Sequence, residues 1–502
     1  MDNFNLGKLS FGKNDGKNEA KMAEFENLFY DYDNIYCKAL DDFNFLILGR
    51  KGTGKTLLAE YIKKQSDKVL NWVTKLDNNK KFNIEHLKLL KSQNTMSTEE
   101  YITIWEWIIL IELSKLIINS FKNKNSENFK ILNKFLDEND FSLKLNSAKT
   151  IEITSKQKIN GVLSAKTPIT NLIEGKIEEV EEGETKKTSG SYLEYLEALE
   201  EIVFKLLKEE PKIKYTLMYD ELDSKFINNS DYKSNIISLI KTSKDLNEKF
   251  LEEGLSVKIM IFLREDIFSI LNDYDLNKIK EDCGVVIDWG DNTENSPLVD
   301  MTLNKIKKSY SNFANLSNND LIKMLFPKKK SISTNGKYSK TMSVFEYILI
   351  RSFLRPRDVI TYFNKIIDSG KNEKTITWDQ VFSAEKKYST YFKDEIRNEL
   401  KGHLTDEEID KTFSLFYNFS KIVFHFNELQ NFYQVKKEEI GDIDLKKCLS
   451  LFFKFGAIGN QRYDKNKRKT FIKWNYREKN IEINLEERIR IHSGLWKELN
   501  LN

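Results

Sequence analysis

Apolar residues follow two patterns in the first part of the chain. Largely apolar runs, typical of buried strands, cover residues 43–48, 69–76, 215–219, 257–263 and 285–289. Between several of these runs, apolar residues recur every three or four positions, which is the period of an amphipathic helix. Strands that alternate with helices indicate βαβ units. The pattern therefore predicts an α/β fold with a parallel sheet.

The other segments are mainly helical. Residues 150–168 are an exception, because they are rich in Thr, Ile, Val and Ser and predict a small β-ribbon. Near the C-terminus, short strands are predicted around a basic loop. The predicted domains are an N-terminal helical segment (1–42), an α/β core (43–295) with a mainly helical insertion (80–210), a helical lid (296–400) and a winged-helix-like domain (401–502).

The composition is that of a large protein with a substantial core. The chain has 502 residues, of which 40% are hydrophobic and 31% are charged. At roughly 100–200 residues per domain, about three domains are expected. The net charge is +3, so any binding of nucleic acid must come from local basic patches. The three cysteines are far apart, which excludes a disulfide framework and fits a reducing compartment.

The most apolar segment, residues 101–118, is interrupted by Glu106, Glu112 and Lys115. A membrane-spanning helix needs about 20 mostly apolar residues, so we predict a buried amphipathic helix instead. The N-terminal residues show no basic region followed by an apolar run, and no signal peptide is predicted. We therefore expect a soluble, cytoplasmic protein with no membrane partner.

A glycine-rich turn directly follows the first apolar run. Its residues are Gly49, Arg50, Lys51, Gly52, Thr53, Gly54, Lys55 and Thr56, which match the spacing G-x-x-x-x-G-K-[ST]. Glycines let the backbone form a nest of N–H groups around a phosphate, and the next helix directs its positive end at the anion. We predict that Lys55 reaches the β- and γ-phosphates and that the Thr56 hydroxyl ligates Mg²⁺.

Asp220 and Glu221 follow the strand predicted at 215–219. In such a pair, the first carboxylate belongs to the magnesium shell and the second polarises the attacking water. A base placed directly after the metal ligand is typical of P-loop ATPases with an additional strand between the phosphate-loop strand and the acidic strand. We predict that the strand at 69–76 fills that position. Because no guanine-reading Asn-Lys-x-Asp motif occurs, ATP is preferred over GTP.

Three arginines are candidates for sensing the nucleotide. Arg264 ends the strand predicted at 257–263, where a cation can contact the γ-phosphate; a surface arginine without a role is the alternative. Arg355 and Arg357 flank a proline that fits the first turn of a helix. The 165 residues between Lys55 and Asp220 (220 − 55) exceed the need of two βα units by roughly a hundred, so we predict an insertion that recognises a partner.

These motifs together resemble bacterial P-loop ATPases related to the AAA+ and STAND proteins. The resemblance is carried by residues 49–56 and 215–223, by the strands ending at Arg264 and Trp289, by 355–358, and more weakly by 453–459 and 491–496. It implies an ATPase that uses ATP and Mg²⁺, forms a homo-oligomer, and serves a bacterial defence system with a separate effector protein.

The resemblance also assigns roles to the arginines. Arg264 becomes the first sensor, and either Arg355 or Arg357 becomes the second. This chain has Arg-Pro-Arg where the wider class has a Gly-Asn-Pro-Arg type of turn. The choice between the two arginines therefore stays open.

The C-terminal residues predict a second type of binding. A helix at 445–455, a turn at 456–459 and a hairpin are typical of a winged helix, and the hairpin tip carries Lys465, Lys467, Arg468 and Lys469. A basic wing can lie against a nucleic-acid backbone, although a solvated lysine-rich turn is the alternative. Two functions follow: an ATP-hydrolysing switch or motor, or a nucleotide-gated DNA-binding or scaffold protein with little turnover.

Overall fold

The computed structural model forms two compact units. One unit is Asp33–Ile287, and the other combines Met1–Tyr32 with Asp288–Asn502. The structure describes residues 4–78, 98–141, 158–159, 162–163, 169–173, 192–222, 230–290, 295–333, 339–464, 466, 469–478 and 481–501. The first 32 residues thus belong to the same unit as the C-terminal half of the chain, and each unit is described by itself below.

The unit Asp33–Ile287 alternates strands with helices. Two short helices of the other unit, α1 (Gly16–Ala20) and α2 (Phe25–Leu28), precede it in the chain. Its elements are α3 (Ile35–Leu40), β1 (Leu46–Gly49), α4 (Lys55–Ser66), β2 (Trp72–Asn78), α5 (Thr98–Ser120), α6 (Glu127–Glu138), β3 (Lys158–Ile159), β4 (Val162–Leu163), α7 (Ile169–Ile173), α8 (Tyr192–Glu209), β5 (Lys214–Asp220), α9 (Ser230–Glu252), β6 (Val257–Arg264), α10 (Glu265–Phe268), α11 (Leu276–Cys283) and β7 (Gly284–Ile287).

Five strands form one sheet in the order β2-β5-β6-β1-β7, and each neighbouring pair is parallel. The predicted α/β fold with a parallel sheet is therefore confirmed. One detail of the prediction is wrong: β2, the strand predicted at 69–76, is the edge strand beyond β5. The strand between β1 and β5 is β6. Sequence proximity favoured β2 for that position, but the strand order depends on pairing between distant segments.

The strands are buried because helices cover both faces of a parallel sheet. All four residues of β1 are buried, and so is every residue of β5 except its first. The helix α5 packs against β2, β5 and α9, and its residues 107–118 are all buried. In the described part of the chain, no helix is both long and apolar enough to cross a membrane. The apolar segment at 101–118 is thus a core helix, as predicted.

The insertion builds outward from α5. Helices α6 and α8 pack on α5 and on each other, and their apolar residues join the same core as the sheet. The predicted β-ribbon at 150–168 is represented by β3 and β4, which pair antiparallel. The charged segment at 178–190 lies outside the described residues. The insertion is therefore anchored on the sheet through one helix.

The second unit begins with the N-terminal segment and the helical part of the C-terminal half. Its elements up to residue 400 are α1, α2, α12 (Pro297–Ser309), α13 (Asn318–Leu325), β8 (Lys330–Ser333), β9 (Ser339–Met342), α14 (Val344–Leu349), α15 (Pro356–Ser369) and α16 (Trp378–Leu400). The N-terminal residues pack on these helices: Phe4 contacts Phe313 at 4.8 Å between ring centroids, and Phe11 stacks on Phe363 at 5.1 Å. A buried ion pair of 2.9 Å also joins Glu19 to Lys305.

The C-terminal residues, which the sequence predicts as a winged-helix-like domain, form helices and a small sheet. Its elements are α17 (Asp406–Phe419), β10 (Val423–Phe424), α18 (Phe426–Ile440), α19 (Leu445–Lys454), β11 (Ile458–Asp464), β12 (Lys469–Lys473) and β13 (Arg488–Ile491). The strands form an antiparallel sheet in the order β10-β13-β11-β12. A helix, a strand, two helices and a hairpin thus follow one another, and α19 packs against β11.

Candidate nucleotide site

The phosphate loop joins β1 to α4 through a backbone that only glycine adopts easily. Gly52 and Gly54 have φ angles of 84° and 104°, in the left-handed region. A Cβ on Gly49 would come within 2.6 Å of Thr53 Oγ1, and that hydroxyl donates a 2.9 Å hydrogen bond to the Arg50 carbonyl. The glycines predicted from the motif are thus required by the turn itself.

Lys55 opens α4 and points back across the loop. Its side chain is buried, and Nζ donates hydrogen bonds to the Gly49 carbonyl at 2.7 Å and the Arg50 carbonyl at 3.1 Å. An ammonium held against main-chain carbonyls has exchanged its water for weaker partners, which favours an anionic ligand. The N-terminus of a twelve-residue helix lies beside it and adds to the positive potential.

Asp220 ends β5 and accepts a hydrogen bond from the Thr56 hydroxyl. Burial raises the pKa of Asp220 to about 6, although the Thr56 hydroxyl, the Glu221 backbone and the Lys55 charge all act in the opposite direction. Its Oδ2 atom has no hydrogen-bond partner among the described residues. The structure therefore brings together the two predicted metal ligands, which are 164 residues apart in sequence (220 − 56) but adjacent in space.

A hydroxyl and a carboxylate are hard oxygen donors of the kind that Mg²⁺ takes in phosphate sites. The Oδ2 atom of Asp220 is buried and accepts no hydrogen bond from the described residues. The residues present thus fit a magnesium ion, which Thr56 and Asp220 would hold.

Glu221 adopts a φ angle of 56°, which is uncommon for a residue with a side chain. The left-handed conformation costs an L-residue roughly 1–2 kcal/mol. It turns the chain sharply at the end of β5, where Leu222 is held by a 2.9 Å hydrogen bond from the Tyr232 hydroxyl to its carbonyl. For Asp223 the sequence favours a helix cap over a role in tuning the site, and this residue lies outside the described residues. Strain of this kind tends to occur at functional sites.

Arg264 ends β6 and lies at the same edge of the sheet, because its Cα is paired with that of Gly49. Its guanidinium forms two hydrogen bonds with Asp266, of 3.0 Å from Nε and 2.6 Å from Nη2. Burial alone would raise the pKa of Asp266, but the Arg264 charge and hydrogen bonds, together with Lys55, lower it. The sequence alone does not identify Asp266 as a site residue, because an acidic residue two positions after a strand is common.

The two other arginines belong to the other unit and differ in their surroundings. Arg355 is only 1% exposed and forms ion pairs with Asp358 at 2.9 Å, Glu399 at 2.8 Å and Glu395 at 3.4 Å. Arg357 is partly exposed and donates to the Asn14 carbonyl at 3.0 Å. Proline 356 begins α15, as predicted. A sensor role for either arginine stays a prediction. Of the two, Arg357 is more exposed, with 26% of its side chain accessible compared with 1% for Arg355.

The basic wing residues Lys465, Lys467 and Arg468 lie outside the described residues, and the side chain of Lys469 does too, although its backbone begins β12. The DNA contact predicted for them stays a prediction. The hairpin itself is described, and its Tyr463 side chain is 58% exposed.

Comparison with known proteins adds one family match and two distant structural likenesses. The model of the FunZ-associated C-terminal helical domain matches residues 296–397, nearly the span predicted as the helical lid. No curated protein shows significant similarity to the sequence.

Among solved structures, the Orc1 protein of Aeropyrum pernix in complex with DNA has 9% identity and a TM-score of 0.34, over 95% of this chain and 92% of that chain. Cdc6p from Pyrobaculum aerophilum has 12% identity and a TM-score of 0.29, over 91% of this chain and 87% of that chain. Likeness at this level carries no argument about activity. The α/β P-loop fold rests instead on the sheet order and the phosphate loop described above.

Proposed function

We propose that the protein is a Mg²⁺-dependent ATPase that works as a molecular switch or motor. The observation that carries the proposal is the convergence of Lys55, Thr56, Asp220 and Glu221 at the carboxyl edge of one parallel sheet. Ligands of open α/β sheets bind outside the carboxyl ends of the strands. The resemblance to AAA+ and STAND-related ATPases adds the expectation of a homo-oligomer and of a defence role with a separate effector.

Each residue has a defined task in this proposal. The loop amides and Lys55 bind and orient the phosphates, and Thr56 and Asp220 hold the metal, which neutralises charge on the transferred phosphoryl group. Glu221 orients water and accepts its proton. Arg264 is close enough to the loop to register the γ-phosphate by exchanging Asp266 for it.

The test is ATP turnover and ATP affinity of the Glu221→Gln variant. We expect nucleotide binding within about threefold of wild type and turnover lower by about 10²–10⁴-fold, because glutamine cannot accept the proton. A variant as fast as wild type would remove Glu221 from the role of base.

A nucleotide-gated DNA-binding protein with little turnover is the second candidate. It is favoured by the β11–β12 hairpin, where exposed Phe471 lies opposite Arg462 on one face and exposed Tyr463 lies on the other face. Exposed aromatic rings with a nearby cation can stack on nucleic-acid bases. DNA binding that survives the combined loss of Lys465, Lys467, Arg468 and Lys469 would contradict the basic wing, and abundant steady-state turnover would contradict the rest.

A further inference from the structure

A cluster of buried charges joins the insertion to the sheet. Glu112 of α5 is fully buried and pairs with Lys75 of β2 through Oε2 and with Lys115 through Oε1 at 3.0 Å. Lys75 Nζ also lies 3.3 Å from Asp77 Oδ2. Lys75, Asp77, Glu112 and Lys115 are called the buried charge cluster below. Two cations and two anions thus balance each other at the base of the insertion.

This cluster reaches the strand that carries the magnesium and base carboxylates. Tyr219 directly precedes Asp220, is 1% exposed, and has a hydroxyl without a hydrogen-bond partner among the described residues. Its ring lies edge-on to that of Trp105 of α5, with 6.3 Å between the ring centroids, so α5 packs directly on this strand.

The strand register places the cluster one residue behind the reaction edge. Asp77 of β2 lies opposite Tyr219 of β5, and Asn78 lies opposite Asp220. Hydrogen bonds run evenly along this parallel pair of strands. Lys75 itself lies opposite Leu217, three residues before Asp220, so the cluster borders the strand that presents Asp220 and Glu221.

Stability does not explain why charges occupy this place. A buried ion pair is often no more stabilising than apolar side chains of the same volume. The neighbouring residues of α5 are almost all apolar and already pack on the sheet. What the pair does provide is a directional link between α5 and β2, in addition to the 3.0 Å hydrogen bond between the Ser120 and Tyr215 hydroxyls that joins α5 to β5. Helices α6 and α8 pack on α5, so a disturbance of the insertion reaches this link.

We propose that Lys75 and Glu112 are positioning residues through which the insertion controls the hydrolytic competence of Asp220 and Glu221. The inference rests on the proposed ATPase function. It assigns the insertion to regulation of turnover: a partner protein that displaces α5 changes the rate of hydrolysis without touching the nucleotide.

Two variants test the link. Glu112→Gln keeps the shape and removes the charge, whereas Lys75→Met combined with Glu112→Leu replaces the pair by apolar residues and retains a packed interface. We expect both to lower kcat at least about tenfold while KM and the Kd for a fluorescent ATP analogue stay within about twofold. Because buried Lys115 and Asp77 lose their partners Glu112 and Lys75, thermal unfolding of the double variant should occur at a lower temperature, and kcat is compared where both proteins are folded. A double variant with wild-type kcat, or a loss that falls on nucleotide affinity, overturns the proposal.

The chain offers a matched control in the other unit. Glu19 and Lys305 form a pair of 2.9 Å in which each side chain is 2% exposed, as well buried as the pair under test. Glu19→Gln and the Lys305→Met, Glu19→Leu double variant should leave kcat within about twofold. If these controls slow turnover as much as the cluster variants, loss of a buried pair is harmful in general and the positioning role is rejected.

Hydrogen exchange separates this inference from the ATPase proposal. If wild type does not hydrolyse ATP, the proposed function fails. The link between α5 and the sheet can still be tested by measuring hydrogen exchange of the α5 amides with and without Mg-ATP. We expect ATP to change that exchange in wild type and not in Glu112→Gln. Exchange of α5 that is indifferent to ATP in wild type overturns the link whatever the turnover.

Discussion

Two regions of the molecule treat a buried charge in opposite ways. In the helical part of the second unit, Arg355 is 1% exposed and meets three carboxylates within 3.4 Å. At the carboxyl edge of the core sheet, Asp220 is 2% exposed, yet its Oδ2 has no hydrogen-bond partner among the described residues and burial raises its pKa to about 6. One charge is fully compensated by the protein, and the other is not.

This difference distinguishes a buried charge that has only a structural role from a buried charge that is suited to bind a ligand. A buried ion that is surrounded by counter-charges fixes a local arrangement and has no capacity left for another partner. A buried ion that is only partly compensated lowers stability on its own, and a bound cation or anion removes the deficit. The following predictions test this reading, beginning with the largest expected effect.

Replacement of Lys55 should have the largest effect. Lys55→Ala removes the ammonium that contacts the Gly49 and Arg50 carbonyls, and we expect ATP affinity to fall by about 10²–10³-fold, because phosphate charge then lacks its main side-chain donor. Titration with a fluorescent ATP analogue measures the loss. Lys51→Ala is the control, since the motif uses only the backbone of that residue, and an equal loss in both variants would contradict a specific role for Lys55.

Replacement of Arg355 should act on stability instead. Arg355→Met leaves Asp358, Glu395 and Glu399 without their shared cation, and removing one partner of a buried pair costs about 3–5 kcal/mol. Arg357→Ala should cost less than about 1 kcal/mol, because that side chain is partly exposed. Urea denaturation of both variants checks the contrast. A stable Arg355→Met variant that no longer responds to ATP would identify Arg355 as the sensor and break the comparison.

Lys258 is a buried charge that lies away from the nucleotide edge. Burial, and secondly the charge of Lys214, lower its pKa from 10.5 to about 8. The unfolded chain therefore binds more protons between pH 8 and 10.5, so the free energy of unfolding rises with pH across that window and the penalty is complete below pH 8. The shift corresponds to about 3 kcal/mol at most.

Lys258→Met should remove this penalty, less the hydrogen bond that Nζ donates to the Asp41 carbonyl. We expect a net gain of about 1–2 kcal/mol at pH 7 that disappears near pH 10.5. Denaturation at several pH values tests it, and a gain that does not depend on pH would mean that packing, not charge, is responsible. Unchanged ATP turnover of Lys258→Met would show that the buried charge of Lys258, unlike that of Asp220, takes no part in the nucleotide site.

Local motifs allowed much of this site to be predicted. The phosphate loop, the strands that end in Asp220 and Arg264, and the proline that begins α15 are each defined by adjacent residues, and the structure places all of them in the predicted elements. The contact between Thr56 and Asp220 follows, because parallel strands present their carboxyl ends at one edge.

Long-range partners could not be predicted. The position of β2 at the sheet edge depends on pairing with β5, more than 130 residues away. The carboxylates Glu395 and Glu399 that compensate Arg355 lie 40 and 44 residues further along the chain, and no residue near position 355 indicates them. The pair between Lys75 and Glu112 could not be predicted either, because a charge in an apolar segment argues against a membrane span but does not identify a partner 37 residues away.

The smallest effect concerns the backbone at Glu221. Its φ of 56° is in the region that favours glycine, so Glu221→Gly should relieve strain and stabilise the fold by about 0.5–1 kcal/mol, after allowance for the greater freedom of glycine in the unfolded chain. Glu221→Gln keeps the strain and also removes the charge, so the difference between the two variants in thermal unfolding isolates the backbone.

Ser420 provides the control, because it has a φ of 55° at the end of α17, where a left-handed residue normally terminates a helix. Ser420→Gly should give a similar gain and leave ATP turnover unchanged, whereas Glu221→Gly should lose turnover. If both variants gain the same stability and only Glu221→Gly loses turnover, the strained backbone at Glu221 is needed to place the catalytic carboxylate. If Glu221→Gly is instead less stable than Glu221→Gln, the conformation is set by side-chain contacts, and strain plays no part in the site.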